Sequence, residues 1–246
     1  MNPSEFVAHL REARASAILR TSLAHAARPA MDAAVRGGFR VLEFTLTTPG
    51  ALDLIREFAA RDGLVVGAGT VLTESDARSA VAAGARFLVS PVLDPAIVAL
   101  ASSLGVAMIP GTFTPTEMLH AHRAGAPLQK LFPAPANGPA YVKACLAPMP
   151  FLRIVPTNGI DPSNAAAFLE AGAWAVGFVA SLFSAEDVQA GRFDRIEACA
   201  RECLAAVASA RSPSTWSSAC ARSGATSAVS TICCRSSTCP ARKASC

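Results

Sequence analysis

Residues 40–71, RVLEFTLTTPGALDLIREFAARDGLVVGAGTV, contain one complete repeat of the fold that the sequence predicts. Two short runs of apolar and β-branched residues, 40–46 and 64–71, flank the segment 50–63, in which apolar residues recur at helical spacing. Gly63 closes that segment, at a position where helices often end. The stretch therefore predicts a strand, a helix and a second strand.

The same alternation extends in both directions from this stretch and occurs eight times between residues 14 and 211. The predicted strands are the segments 16–21, 40–46, 64–71, 86–92, 106–113, 128–134, 151–159 and 174–183. They are apolar on both faces, as parallel strands covered by helices must be. Eight units, with no G-x-G-x-x-G after the first strand, favour a (β/α)8 TIM barrel over an open doubly wound sheet.

The composition is that of a globular protein with a sizeable core. The chain has 246 residues, of which 52% are hydrophobic and 16% charged, which suits one α/β domain. No run approaches the ~20 apolar residues that span a bilayer, and the N-terminus is charged where a signal peptide would be apolar. We therefore expect a cytoplasmic protein with no membrane partner.

The last 35 residues differ in composition from the rest of the chain. We expect residues 1–211 to form the barrel, and residues 212–246, rich in Ser, Cys and Arg, to be a disordered tail that buries too little apolar area to fold. Five of the eight cysteines lie in this tail, but their spacing fits no paired C-x-x-C zinc pattern. The remainder is formally neutral and has no basic stripe, so we predict no nucleic-acid partner.

Polar and small residues follow the predicted strands, where the chemistry of such barrels is found. In chain order they are Arg20 and Thr21; Glu43, Thr45 and Thr47; Gly67, Gly69 and Thr70; Ser90 and Pro91; Pro110, Gly111 and Thr112; Lys130 and Phe132; Thr157, Asn158 and Gly159; and Gly177 and Ser181. Because parallel strands end on one side of a barrel, these residues are expected on one rim.

Two charged residues interrupt otherwise apolar strands, Glu43 in VLEFTL and Lys130 in LQKLF. The chain has only three lysines, the others being Lys143 and Lys243. A buried lysine can lose its proton and attack a carbonyl carbon, which arginine cannot do. A carboxylate beside it could then move protons, so the pair indicates imine chemistry.

Two structural explanations for this pair remain open from the spacing alone. The first is a buried ion pair between Lys130 and Glu43 across the barrel. The second is an outward Lys130 whose ammonium reaches solvent between the helices. Neither explanation requires catalysis.

Six motifs together resemble those of one family. They are VLEFTLTTP, GAGTVL, VSPVLDP, IPGTFTPTE, KLFPAPANGPAYVKACLAPMP and VPTNGI, in that order. The chain, over about residues 5–210, resembles the 2-keto-3-deoxy-6-phosphogluconate (KDPG) and 4-hydroxy-2-oxoglutarate (KHG) aldolases, which are class I pyruvate aldolases. The resemblance implies a TIM barrel, a homotrimer and a small 2-oxo acid substrate, with no cofactor and no metal.

The resemblance also implies roles for individual residues. Lys130 in KLFP matches the Schiff-base lysine, and Glu43 in LEFT matches the general acid/base. Substrate-binding positions are implied for Arg20, Thr47, Thr70, Pro91, Phe132, Thr157, Asn158, Gly159, Gly177 and Ser181. The implied reaction is retro-aldol cleavage to pyruvate and an aldehyde, either glyceraldehyde 3-phosphate or glyoxylate.

Three positions depart from the family's pattern. Thr47 stands where many members have arginine, and Asn158 interrupts the usual Thr-Gly-Gly of the seventh strand. In the eighth strand Val179 and Ala180 replace Gly-Ser, and Ser181 follows one position late. Glycines allow backbone N–H groups to approach phosphate in such barrels. The departures therefore favour the reaction type over any one substrate, phosphorylated or not.

A second function remains open at this point. The chain could be a non-aldolase phosphate-binding barrel, related to sugar-phosphate isomerases or non-catalytic, in which Lys130 only pairs with Glu43. Such isomerases need a further acid/base, and the four histidines, His9, His25, His120 and His122, all fall in helical segments away from the rim. The same placement argues against a zinc aldolase, which needs clustered histidines.

Overall fold

The computed structural model describes residues 1–211. Ten helices and nine strands lie in this part of the chain. In order they are α1 (Pro3–Ala13), β1 (Ala15–Leu19), α2 (Ala24–Arg36), β2 (Val41–Thr45), α3 (Ala51–Ala59), β3 (Val65–Gly69), α4 (Glu74–Ala82), β4 (Phe87–Val89), α5 (Pro95–Ser103), β5 (Ala107–Ile109), β6 (Gly111–Thr112), α6 (Pro115–Arg123), β7 (Gln129–Leu131), α7 (Gly138–Leu146), β8 (Ile154–Pro156), α8 (Ala165–Glu170), β9 (Val176–Phe178), α9 (Ala185–Gln189) and α10 (Phe193–Ser209).

The strands form a curled parallel sheet in two sections. Six strands pair in the order β5-β4-β3-β2-β1-β9, and three in the order β6-β7-β8. Only Pro110 separates β5 from β6, and a parallel bridge between Thr157 and Gly177 joins the end of β8 to β9. All eight predicted strands are present, the fifth being divided at Pro110, and a helix follows each in turn.

The core has two parts because strand side chains alternate between the faces of the sheet. Outward residues such as Leu42, Phe44 and Val66 pack under the helices. Inward residues such as Val41, Val65 and Phe87 form a second cluster with Phe6 and other residues of α1. We call the space enclosed by the curled strands the sheet interior.

Helix α1 is an element that the sequence analysis did not identify. Asn2 and Glu5 form a capping box at its start, in which each side chain accepts a hydrogen bond from the backbone N–H of the other residue. Its buried residues Phe6, Val7 and Leu10 lie against the first residues of the strands. The helix therefore closes the end of the sheet interior that lies opposite the predicted rim.

The predicted final helix is divided in two. Gly191, at a φ of 66°, separates α9 from α10, and the Arg192 guanidinium pairs with Asp187 at 2.6 Å across the break. The boundary predicted at residue 211 stays a prediction, and the expected disorder of 212–246 concerns residues outside the described range. Within residues 1–211, no helix combines the length and apolarity needed to cross a bilayer.

Candidate active site

Lys130 and Glu43 both point into the sheet interior. Lys130 is the middle residue of β7 and Glu43 that of β2, and only 6% and 3% of their surfaces are exposed. Both line one cavity, which also includes Thr157 beyond β8. Lys130 and Glu43 therefore face the same space, as predicted. The alternative of an outward-pointing Lys130 is wrong, because alternation along β7 turns Lys130 inward and its neighbours Gln129 and Leu131 to the other face.

The two groups act on each other by charge and not by direct contact. Glu43 Oε1 is buried and has no hydrogen-bond partner in the described part of the chain. Burial raises the pKa of Glu43, while the charges of Lys130 and Arg20 partly oppose the rise. Within residues 1–211 the two groups therefore form no direct ion pair, and Glu43 Oε1 stays without a hydrogen-bond partner.

The environment of Lys130 favours its neutral amine. Burial lowers the pKa of Lys130, the charge of Glu43 partly opposes this, and the positive charge of Arg20 lowers the pKa further. The lysine Nζ lies 4.9 Å from the centre of the Phe132 ring. An amine with a depressed pKa is nucleophilic at neutral pH.

Two hydrogen bonds to residues 110–112 hold the backbone of Lys130 in place. Its N–H donates to Pro110 O at 2.9 Å, and its carbonyl accepts from Thr112 Oγ1 at 2.9 Å. Gly111 pairs with Lys130 in register, and the backbone of Pro91 fills the place that a Cβ of Gly111 would take. Pro91 is thereby packed against β6, the strand beside Lys130, and its pocket-shaping role stays a prediction.

Strand β3 makes room for the interior groups. A Cβ at Gly69 would lie 2.8 Å from Glu43 Cδ, and one at Gly67 would lie 2.5 Å from the Phe87 ring. The two glycines thus leave space for the Glu43 carboxyl group and for the aromatic ring below it. The next residue, Thr70, has a φ of 60°, an unfavourable conformation for a β-branched residue that is found mainly at functional sites.

The end of β2 carries a cluster of hydroxyl groups. Thr45 Oγ1 lies 3.0 Å from Thr47 Oγ1 and 3.1 Å from Thr48 Oγ1. The N–H of Thr21 donates to Thr48 Oγ1 at 3.3 Å, which ties the end of β1 to the end of β2. Arg20, immediately after β1, and Thr47, after β2, are both exposed.

The residues predicted to bind phosphate, after β8 and β9, differ from one another in exposure and in hydrogen bonding. Thr157 is buried, its hydroxyl has no partner in residues 1–211, and Gly177 leaves the space that its methyl group occupies. Asn158, at a φ of 60°, and Gly159 are exposed. Ser181 Oγ donates to Ile160 O at 2.6 Å and is therefore engaged within the protein.

Sequence reasoning missed several residues of the cavity. Ser16 and Ile18 of β1 line it, and so do Phe6 and Leu10 of α1. Alternation could have identified Ser16, because it stands two residues before Ile18 on one face of the strand. All four histidines lie on helices, as expected. His25, His120 and His122 are exposed, whereas His9 of α1 is partly buried and its Nε2 has no hydrogen-bond partner within residues 1–211.

A family model described as "Aldolase: KDPG and KHG aldolase" matches residues 7–199, which include every element from β1 to β9. The chain belongs to this family. It is a class I aldolase, a lyase, and the resemblance of its motifs is confirmed.

Relatives and solved structures agree with this assignment. The chain is 36% identical over 180 residues to a probable 2-dehydro-3-deoxy-6-phosphogalactonate aldolase of Rhizobium meliloti, covering 70% of this chain and 85% of that protein. It is 36% identical over 185 residues to the KHG/KDPG aldolase of Escherichia coli K12, covering 72% and 84%. The KDPG aldolase of Legionella pneumophila, solved with pyruvate captured as a covalent carbinolamine, superposes with a TM-score of 0.71 at 27% identity, covering 81% and 97%.

Proposed function

We propose that Lys130 is the Schiff-base nucleophile of this aldolase and that Glu43 is its general acid/base. The observation that carries the proposal is the burial of one lysine and one carboxyl group in a single cavity without an ion pair between them. Each group then has a pKa displaced toward the neutral form. A neutral amine beside a group that can give and take a proton is what imine chemistry needs.

The reaction begins with attack of Lys130 Nζ on the C2 carbonyl carbon of the substrate. A C–N bond forms, and transfer of a proton from the nitrogen to the oxygen gives the carbinolamine. Glu43, protonated at the start, gives its proton to the carbinolamine hydroxyl group, which leaves as water, so that an iminium ion and the Glu43 carboxylate remain. Glu43, through a water molecule, removes the proton of the C4 hydroxyl group. The C3–C4 bond then breaks, its electron pair moves to the iminium, and the aldehyde departs.

The second half of the cycle regenerates the free amine of Lys130. Glu43 gives the proton that it took from the C4 hydroxyl group to C3 of the enamine, which forms the iminium ion of pyruvate. Water then hydrolyses this iminium ion to pyruvate and free Lys130, and the proton that is released returns to Glu43. Every proton and electron pair is then accounted for by these two side chains, the substrate and water. The reaction therefore needs no cofactor and no metal, as the sequence analysis predicts.

The substrate is a 2-keto-3-deoxy or 4-hydroxy-2-oxo acid, in our proposal KDPG or a close relative. Arg20 and Thr47 would bind a carboxylate, and Thr70, Pro91 and Phe132 would shape the pocket. Thr157 faces the same cavity as Lys130. These side chains lie at the carboxyl ends of their strands, where a bound oxo acid would reach them.

The distal end of the substrate would lie near Asn158, Gly159, Gly177 and Ser181. Asn158 in place of glycine and the engaged hydroxyl of Ser181 leave fewer groups for a phosphate than the family's usual pattern. Comparing kcat/KM for KDPG and for unphosphorylated KHG measures this directly. A small ratio between the two is the expected result.

We also propose that the strands close into one (β/α)8 barrel and that the protein is a homotrimer. Pro110 alone separates the two sheet sections on one side, and the bridge to Gly177 joins them on the other. The exposed apolar residues Leu72, Val92 and Phe113 follow β3, β4 and β6, at the carboxyl ends of these strands. Burial of these side chains would stabilise association between copies.

The test of the mechanism is borohydride trapping in the presence of pyruvate, followed by peptide mass mapping. Lys130→Arg keeps a positive charge but cannot form an imine, so it should lose the adduct and turnover. Lys143→Arg is the matched control, because Lys143 is an exposed lysine on α7, and it should be trapped like the wild type. Retained turnover in Lys130→Arg would mean that the chain follows another mechanism, such as that of the isomerase-like alternative.

A further inference from the structure

The floor of the active cavity is made by helix α1. Phe6 and Leu10 are 0% and 1% exposed, and both line the cavity that holds Lys130 and Glu43. They belong to the N-terminal segment, far in sequence from either catalytic group. The apolar side chains of α1 therefore occupy the place through which water would otherwise enter from below.

Two contacts fix α1 in this place. The Phe6 ring stacks on the Phe87 ring with centroids 4.5 Å apart and planes 17° from parallel. The indole N–H of Trp174 donates to Val7 O at 3.0 Å. Since Phe87 begins β4 and Trp174 lies just before β9, the helix is attached at two separate points of the strand ends.

The walls between floor and reactive groups are apolar. Ile18, Val41, Phe87, Val89, Ile109 and Val155 line the cavity that holds Lys130 and Glu43, with Ser16 and Thr157 as additional polar residues. The charges that act on the lysine amine come from Glu43 on β2 and Arg20 after β1. None of the residues that α1 contributes to the cavity is charged, so its effect on the amine must be through the exclusion of water.

We propose that Phe6 and Leu10 are positioning residues for imine formation, which act by keeping the base of the cavity dry. This inference rests on Lys130 being the nucleophile. A dry floor penalises the ammonium form, because a charge in an apolar site loses its hydration without a replacement. Polar groups or water at the floor would restore that hydration and protonate the amine at neutral pH.

The test replaces the apolar Leu10 by a polar, uncharged residue of similar size. Leu10→Asn should shift the rising limb of the pH profile of imine trapping toward alkaline pH by about one unit, with about tenfold slower trapping at neutral pH, since one unit is a tenfold change in neutral amine. Leu10→Thr, which brings a smaller polar group, is measured beside it. Leu10→Met keeps the floor apolar and should retain the wild-type profile.

The matched control is Val7→Thr, a polar replacement of similar shape. Val7 is buried in the same helix but does not line the cavity, so the variant should lower thermal stability without moving the pH profile. The inference is overturned if the Leu10 variants lose stability like Val7→Thr and keep the wild-type profile. If the wild type itself gives no adduct on Lys130, the proposed mechanism fails instead, and the two results are distinct.

Discussion

Replacing Gly69 by alanine tests whether the exact placement of the Glu43 carboxyl group controls the reaction. An added Cβ would overlap Glu43 Oε1, its nearest neighbour, and would lie 2.8 Å from Cδ and 3.0 Å from Cγ. Carbon atoms pack at about 3.5–4.0 Å from each other, so the carboxyl group would have to move by at least about 1 Å. Because the displaced atoms are the end of a flexible side chain, we expect a loss of only about 1 kcal/mol in the free energy of unfolding, at the low end for overpacking.

The effect on turnover should be much larger than the effect on folding. A displacement of about 1 Å at a catalytic group can lower the rate roughly 100-fold, which is about 2.7 kcal/mol of barrier. Cleavage is followed by coupling pyruvate release to a lactate dehydrogenase, and folding by thermal unfolding. The expected signature of Gly69→Ala is a large fall in kcat with a small change in Tm.

A double-mutant cycle separates this cause from general damage. In a Glu43→Ala background the colliding side chain is absent, so Gly69→Ala should lower the residual rate by no more than about twofold, the usual limit for independent sites. If Gly69→Ala costs the same factor in both backgrounds, it acts through something other than the carboxyl group. Our reasoning about the site would then be refuted.

Two further predictions concern pH and assembly. Lys130 has a pKa below the ordinary 10.5, so between its folded pKa and 10.5 the unfolded chain binds more protons than the folded chain, and the free energy of unfolding should rise with pH. Denaturant unfolding should show this rise in the wild type and not in Lys130→Met. A rise of equal size in both proteins would contradict the prediction. Leu72→Asp and Val92→Asp should convert the proposed trimer to monomers in sedimentation velocity. Phe151→Asp, a similarly exposed residue before β8, should leave the trimer intact. Trimers that persist in the first two variants would show that Leu72 and Val92 do not lie in the interface.

The sequence allowed the strands and the reactive pair to be predicted because both depend on local signals. Alternating apolar runs and helix-closing glycines repeat in every unit, and a charge within an apolar strand is conspicuous wherever it occurs. The absence of an ion pair between Lys130 and Glu43 could not be predicted. It depends on the width of the sheet interior, which is set by side chains from all the strands together.

Two elements were missed for different reasons. The start of α1 carries a signal, Asn2, Pro3 and Glu5, that is typical of a helix N-terminus, but the charges that argue against a signal peptide do not by themselves identify a helix. The break before α10 follows from Gly191 and from the pairing of Arg192 with Asp187. Helical spacing continues on both sides of it, so periodicity alone does not reveal the change of direction.

The bare interior of β3 has a consequence for recombining this enzyme with its relatives. Gly67 accommodates a ring from β4, and Gly69 accommodates a carboxyl group from β2. A chimera with a crossover on either side of β3 would combine these glycines with neighbours that were not selected to fill the same space. Segments exchanged between homologues should therefore run from β2 through β4 as one block, with boundaries in the flanking helices α2 and α5.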